Sequence, residues 1–448
     1  MKRLRTGETP ELRRARRSHR RAFPILLPLC VLRVLCDFPI SRLPVPNLVP
    51  ASCPHDTSRY SLTFLSKRVA ILGSTGSIGC NALDVVQHLG HPYRAVGLSG
   101  NSNLDKLSEQ VARCRPAAVG VPETAAQLAR QRWSDTTVYV GPDGLCEMVG
   151  RDDVDIVLSA IVGAAGLPVA LAAVEAGKTL ALANKESLVV AGSLLVPRAR
   201  ERGVDILPVD SEHSAIFQAL LAGRLQDVKR VILTASGGPF RTWSIDRIHR
   251  ATLSDALAHP TWSMGKKITI DSATMFNKGL ELIEAVWLFD LKPEQVQIMV
   301  HPESVVHSMV EFVDGSVIAQ LSPPDMKTPI QYALTYPERA PGCSRTMNWT
   351  DAFALTFEPP DVEKFPALRL AYDVARRGGI MGAVLNASNE VAVEAFIGGR
   401  IGFTGITRVV ERTIDRAPVM NSPSLADLLE ADAWARRVTL EETERQSP

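Results

Sequence analysis

The chain is expected to be an α/β protein with a doubly wound parallel sheet at its N-terminal end, a central α+β domain and a small C-terminal helical bundle. Three observations predict this. From Lys67 to Val209, short β-branched runs alternate with helical stretches, which argues for a parallel sheet with helices on both faces. After Glu212 the alternation stops, and Asp314-Gly315 between Val310–Val313 and Val317–Leu321 signals an antiparallel hairpin. From Leu368 onward helical period continues without strands, as in a bundle.

Taken in order, Arg68–Leu72 reads as a strand, Asn81–Leu89 as a helix, Tyr93–Leu98 as a strand, Leu104–Cys114 as a helix and Ala117–Val121 as a strand. Thr137–Val140, Asp155–Ile161, Thr179–Ala183 and Asp205–Val209 continue the strand series, with Pro168–Ala176 a helix between two of them. His213–Leu221 is helical, Lys229–Ala235 a strand, and Ser236-Gly237-Gly238-Pro239 a loop. Glu294–Val300 and Ser304–Gln320 suggest antiparallel strands, and the proline-rich, aperiodic Pro337–Pro359 reads as a linker. The expected division is 67–211, 212–338, a linker at 339–364, and 365–448, after a leader or extension over 1–66.

At 448 residues there is room for two or three domains with their own cores. A net charge of +2 fits neither a nucleic-acid binder nor an acidic tail protein. The basic excess sits in the first few dozen residues, where Arg13, Arg14, Arg16, Arg17, Arg20 and Arg21 cluster. The nearby apolar stretch Ala22–Phe38 is broken by Pro24, Pro28, Arg33 and Asp37, so it falls short of a membrane span. A targeting leader, a disordered extension and a start assigned too far upstream all fit this segment. Seven cysteines with no C-x-x-C argue against zinc or a disulfide framework and for a reducing compartment.

Gly73-Ser74-Thr75-Gly76-Ser77-Ile78-Gly79 follows the first strand and opens the first helix. Such glycines let the backbone approach a pyrophosphate, and the helix N-terminus offers free amides and partial positive charge. In this strand–helix context the spacing is a variant of the dinucleotide fingerprint, so the sheet is Rossmann-like; a ligand-free glycine turn is the alternative. NAD binders usually carry an acid at the end of the second strand. Here Leu98-Ser99-Gly100-Asn101-Ser102-Asn103 has none before Asp105, which favours NADP, although no Arg or Lys occupies the turn.

Asp210, Ser211 and Glu212 close the run Val204–Val209, beyond the carboxyl end of the last strand, where ligands sit in such sheets. A third carboxylate, Glu281, lies in Asn277-Lys278-Gly279-Leu280-Glu281. If the three converge, each pair at about 4 Å costs roughly 4 kcal/mol at an effective dielectric near 20. A divalent cation with a taste for oxygen ligands, Mg²⁺ or Mn²⁺, would relieve that repulsion. Asn277 and Lys278 project to the same side of a helix as Glu281; the plain alternative is a surface ion pair. Ser236, Ser272 and Lys278 offer hydroxyls and an amine suited to a phosphate. His259 begins a segment, His259-Pro260-Thr261-Trp262-Ser263-Met264-Gly265, that reads as a mobile flap able to cover a substrate. Trp262 could instead cap the core, and His259 could be structural. Lys185, in Asn184-Lys185-Glu186, carries or relays a proton, or merely pairs with Glu186.

With these pieces assembled, the chain closely resembles the 1-deoxy-D-xylulose 5-phosphate reductoisomerase family from Lys67 to the C-terminal helices. The resemblance rests on Ile71–Gly79 (ILGSTGSIG), Ala160–Gly166 (AIVGAAG), Ala183–Leu188 (ANKESL), Pro208–His213 (PVDSEH), Ser236–Phe240 (SGGPF), Asp271–Thr274 (DSAT), His259–Gly265 and Asn277–Glu281. It implies that Asp210, Glu212 and Glu281 ligate Mg²⁺ or Mn²⁺, with Ser211 and Lys185 at the reacting end of the substrate. Ser236, Ser272, Asn277 and Lys278 would hold the phosphate, His259 would lie close by, and Trp262, Met264 and Gly265 would form the flap. Thr75, Gly76, Ser77 and Ile78 would bind the NADPH pyrophosphate, Asn101, Ser102 and Asn103 the 2′-phosphate, and Asn184, Glu186 and Gly265 the rest of the cofactor. Many relatives carry Lys or Arg where this chain has Ser102.

The implied reaction is the rearrangement and NADPH-dependent reduction of a sugar phosphate to 2-C-methyl-D-erythritol 4-phosphate, in a homodimer with no nucleic-acid or membrane partner. The implied location is bacterial cytoplasm, or plastid or apicoplast stroma if residues 1–66 are a transit leader. Another NADP-dependent semialdehyde reductase, or a non-catalytic NADP sensor, are the rival readings.

Overall fold

A computed structural model describes residues 67–262 and 264–446, so the leader expected over residues 1–66 lies outside it. Strands β1 (Lys67–Leu72), β2 (Tyr93–Ser99), β3 (Ala118–Val121), β4 (Thr137–Val140), β5 (Ile156–Ser159), β6 (Thr179–Leu182) and β7 (Ile206–Pro208) form one sheet in the order β4-β3-β2-β1-β5-β6-β7. Every pairing in it is parallel. The inner strands are buried on both faces, which is why they read as unbroken apolar runs rather than alternating ones. Ile71 and Leu98 feed the core on one face, while Leu72 and Val157 feed the other. The chain reverses its direction of strand addition between β1 and β5, the place where doubly wound sheets open a ligand crevice.

Helices α1 (Ser77–Leu89), α2 (Leu104–Cys114), α3 (Ala126–Arg132), α4 (Gly141–Val149), α5 (Leu167–Glu175) and α6 (Lys185–Arg202) cover the sheet. The period of α6 is hidden in the sequence for a physical reason. Its residues from Lys185 to Gly192 are all buried, Ala191 departs from helical geometry, and Pro197 lies inside, so no polar face marks it.

Helix α7 (Ser211–Leu220) leaves the first sheet and leads to β8 (Val228–Ala235). The chain then runs through α8 (Ile245–Ile248), α9 (Leu253–Leu257), α10 (Lys266–Thr274) and α11 (Phe276–Phe289) to β9 (Val296–Val300), β10 (Val306–Phe312) and β11 (Val317–Leu321). The second sheet has the order β11-β10-β8-β9. The Asp314-Gly315 hairpin is present, with Gly315 at φ 88° and β10 antiparallel to both β11 and β8. The all-antiparallel expectation needs one correction: β8 and β9 are parallel. The long helical excursion between them carries the chain back to the end of the sheet where β8 began, which a tight turn could not do.

Helix α12 (Lys327–Thr335) packs Ile330, Ala333 and Leu334 into the core of the first sheet. The last four helices are α13 (Ala367–Arg377), α14 (Met381–Ile397), α15 (Phe403–Asp415) and α16 (Leu425–Gln446). They share one apolar core with the second sheet, as the edge-on contact of Phe403 with Phe240 at 4.7 Å shows. Residues Met381–Asn389 of α14 are buried without interruption, so that helix is an internal strut. No helix among the described residues is long and apolar enough to cross a membrane, and Cys80, Cys114, Cys146 and Cys343 are free thiols.

Candidate active site and metal centre

Three local devices aim the acidic side chains. Asp210 occupies the N-cap position of α7, yet its side chain makes no capping hydrogen bond and is left for other partners. Glu212 follows in the first turn of that helix, where the dipole favours negative charge. Met275 sits in the left-handed region at φ 65° and breaks α10 from α11. The break sets Asn277, Lys278 and Glu281 on the inward face of α11.

The distant carboxylates do converge. Asp210, Glu212 and Glu281 present oxygens that all lie within 4.8 Å of one another. Two ammonium groups thread between them. Lys185 Nζ pairs with Asp210, lies 3.0 Å from Glu281 Oε1 and donates to Asn277 Oδ1 at 2.9 Å. Lys278 Nζ donates to Glu212 Oε1 at 2.9 Å and to the other oxygen of Glu281. Ser211 Oγ donates to Glu212 Oε2 at 2.6 Å, and Asn277 Nδ2 to Glu281 Oε1 at 2.5 Å. Lys185 therefore does not pair with Glu186. The Lys278–Glu281 pair is no surface bridge either, since both side chains are at most 4% exposed.

Burial and the nearby Glu212 charge push Glu281 up to about 7. Burial would raise Glu212 as well, but Lys278 and the Ser211 hydroxyl hold it well below the usual carboxylate range. Burial opposes the charged form of both lysines, and the surrounding carboxylates outweigh it, so each holds its proton more tightly than a free lysine.

The donor set fits a hard divalent ion. It is oxygen only, and octahedral Mg²⁺ at about 2.1 Å places its ligands about 3 to 4 Å apart. Asp210 Oδ2 is buried and its partner is the Lys185 ammonium, so the three carboxylates with two lysines still carry one negative charge more than they balance. A second cluster, Asp210–His213–Glu284, is equally compact but reads differently. His213 Nε2 donates to the carbonyl of Glu281 at 2.9 Å, and burial lowers the ring to about 4. Its bare Nδ1 faces Glu284 Oε2 at 3.3 Å, and burial together with the Asp210 charge keeps Glu284 protonated far above the usual range. That is a neutral acid beside a neutral imidazole, sealed from the cavity, with no hydrogen bond formed between the two facing atoms.

Lys185, Asp210, Ser211, Glu212, Asn277, Lys278 and Glu281 line one cavity of about 540 Å³. It also contains Gly76, Ser77, Ile78, Asn184, Glu186, Ser236, His259, Trp262, Met264, Gly265 and Ser272. Trp262 therefore faces the cavity rather than capping a core. His259 has a defined tautomer: its Nδ1 accepts the backbone N–H of Thr261 at 3.2 Å and of Trp262 at 2.9 Å. The ring, whose proton affinity burial lowers, thus carries hydrogen on Nε2 and donates it to Ser236 Oγ at 3.0 Å. Ser236 Oγ also accepts from Gly238 N at 3.2 Å, which leaves its own hydroxyl hydrogen for a ligand. Gly265 caps α10 at an ordinary φ of −63°, a backbone open to any residue.

On the cofactor side, Gly73 takes φ 75°, and a Cβ there would meet the carbonyl oxygen of Ala160 at 2.6 Å. The loop can therefore only be built with glycine at that point. Thr75, Asn101, Ser102 and Asn103 lie outside the cavity lining, the last three exposed at the end of β2. Asn103 has a structural task as well, since its side chain caps α2 by accepting from Lys106 N at 3.0 Å.

Several lining residues were missed by sequence reasoning. Lys267 pairs with Asp271 at 2.6 Å and reaches toward Glu186 at 3.7 Å. Asp271 also accepts from Asn389 of α14 at 2.9 Å. His307 Nε2 donates to the carbonyl of Ser322 at 3.1 Å, and its ring stands 6.5 Å from that of Trp262. Ser304, at φ 52°, lines the same wall. The one sequence signal for His307 is a histidine inside a strand run rich in valine.

Comparison with known proteins places the whole described chain in one family. Residues 69–192 match 1-deoxy-D-xylulose 5-phosphate reductoisomerase, residues 206–289 its C-terminal domain, and residues 321–438 the DXP reductoisomerase C-terminal domain. The reductoisomerase of Geobacter metallireducens is 51% identical over 380 residues, covering 84% of this chain and 98% of the relative. That of Chlorobium chlorochromatii is 50% identical over 373 residues, covering 83% and 98%. A crystal structure of DOX-P reductoisomerase with NADPH, fosmidomycin and magnesium superposes with a TM-score of 0.80 at 41% identity, covering 85% of this chain and all of that one. The Zymomonas mobilis enzyme with NADPH gives 0.80 at 42% identity over the same shares. The chain belongs to the 1-deoxy-D-xylulose 5-phosphate reductoisomerase family.

Proposed function

We propose that this protein converts 1-deoxy-D-xylulose 5-phosphate to 2-C-methyl-D-erythritol 4-phosphate with NADPH and a divalent metal, the committed step of the non-mevalonate route to isoprenoid precursors. The observation that carries this reading is the meeting of Asp210, Glu212 and Glu281 in a cavity that also reaches the glycine loop. A plain aldehyde reductase has no use for three converging carboxylates beside a phosphate cradle.

In this reading Asp210, Glu212 and Glu281 hold Mg²⁺ or Mn²⁺. When bound, the metal polarises substrate oxygens and NADPH supplies the hydride. Lys185, which keeps its proton, offers fixed positive charge beside the reacting oxygens, and Ser211 orients the same end. Lys278, Asn277, Ser272 and the free hydroxyl of Ser236 grip the phosphate, with His259 fixing that hydroxyl. Phosphate binding far from the reacting carbons supplies energy for closing Trp262 and Met264 over the site. Thr75–Ile78 take the pyrophosphate, Asn101–Asn103 the 2′-phosphate, and Asn184, Glu186 and Gly265 the nicotinamide half. Residues 67–211 serve the cofactor, 212–338 the metal and substrate, and 365–448, joined through 339–364, brace both. The working form is a homodimer.

Incubation with the sugar phosphate, NADPH and Mg²⁺ or Mn²⁺ should consume NADPH and give the branched polyol phosphate by NMR. Thorough chelation should abolish turnover and Mn²⁺ should restore it. Turnover indifferent to EDTA, or an unbranched product, would point to a simple reductase.

A further inference from the structure

The loop Ala160–Gly166 presents Ile161 and Val162 to the cavity on the cofactor side, and Val162 is 74% exposed. One peptide unit of this loop, Gly163–Ala164, is gripped at both ends. Asn184, at the start of α6, donates its side-chain N–H to the carbonyl of Gly163 at 3.0 Å. The amide of Ala164 points the other way, to Glu390 Oε1 of α14 at 3.4 Å. Gly163 has φ 76°, and a Cβ there would come within 2.8 Å of the same carboxylate oxygen, so loop and acid are fitted to each other. Glu390 is itself fixed. Asn386 donates to its Oε1 at 3.0 Å, and Arg436 of α16 donates to its Oε2 at 2.6 Å.

We propose that Glu390, locked by Arg436, is a positioning residue through which the C-terminal helices set the cofactor loop and hence the seat of NADPH. The inference rests on the assignment of NADPH to this cavity. Glu390 touches no reacting atom. It acts by choosing the orientation of one peptide, which decides where Ile161 and Val162 meet the cofactor. Such outer partners commonly change affinity by about 10- to 100-fold when removed.

The test is steady-state kinetics of the full-length protein with NADPH and the sugar phosphate, plus direct NADPH titration by fluorescence. Glu390→Ala should raise KM and Kd for NADPH about tenfold, with kcat and the KM for the sugar phosphate within about twofold. Glu390→Gln, which keeps an acceptor for Ala164 N–H but loses the ion pair, should recover part of the loss. Should Glu390→Ala fail to fold, Arg436→Met, at a partly exposed site, should still raise the NADPH constants about threefold. NADPH constants unchanged in a folded variant, or all parameters falling together, would overturn the proposal. Wild-type protein that binds NADPH yet turns over no sugar phosphate would instead sink the reading of function, and the titration would still judge Glu390.

Discussion

Two clusters share Asp210 and look alike by proximity, yet their chemistry diverges. Around Glu281 the acids face a cavity, are bridged by Lys185 and Lys278, and leave a carboxyl poised near neutrality. Around Glu284 the acid is sealed against His213, both below 2% exposure, and the pair resolves its charges by staying neutral. The difference teaches that compactness of ligand atoms does not mark a metal site. What sets the proposed metal centre apart is charge that faces a cavity, within reach of a ligand.

Substitutions should separate the two clusters sharply. Glu281→Gln, or Glu212→Gln, should lower kcat/KM by about a thousandfold and weaken Mg²⁺ binding, while NADPH affinity by titration stays nearly intact. Either variant running at wild-type speed would remove that residue from the mechanism. A smaller effect concerns protons. Because Glu281 must lose a proton to bind an ion, Mg²⁺ affinity should fall about tenfold for each pH unit below 7 and level off above it. Calorimetry across that range decides the point, and a flat profile would contradict it. In EDTA the sign reverses for stability. A carboxyl raised from 4.5 to about 7 in the fold favours the fold at low pH, and that advantage is lost as pH rises from 4.5 through 7. Thermal scans should show this trend and its suppression by Mg²⁺. The smallest change should come from Glu284→Gln, which keeps a donor toward His213 Nδ1. Activity should stay within about threefold, roughly 0.7 kcal/mol. A collapse like that of Glu281→Gln would mean that Glu284 works as a charged group.

The contrast also explains what could be read from the chain. The seven parallel strands were legible because buried apolar runs recur between helices, and the glycine loop because its spacing follows a strand. Asp210, Glu212 and Glu281 were legible by their places after a strand and on a helix face, though their convergence was not. The partnership of His213 with Glu284 depends on how α7 packs against α11, which no local pattern records. Lys267, His307 and the reach of Asn389 and Glu390 from α14 into the site are likewise tertiary facts, joining residues more than a hundred positions apart in the last two cases. Parallel pairing of β8 with β9 was missed because the hairpin signal spoke only for β10 and β11.

The most direct measurement is anomalous diffraction at the manganese edge from crystals grown with Mn²⁺. One peak bounded by Asp210, Glu212 and Glu281 is expected. A peak held by Asp210, His213 and Glu284, or none near Asp210, would contradict the assignment of the metal centre.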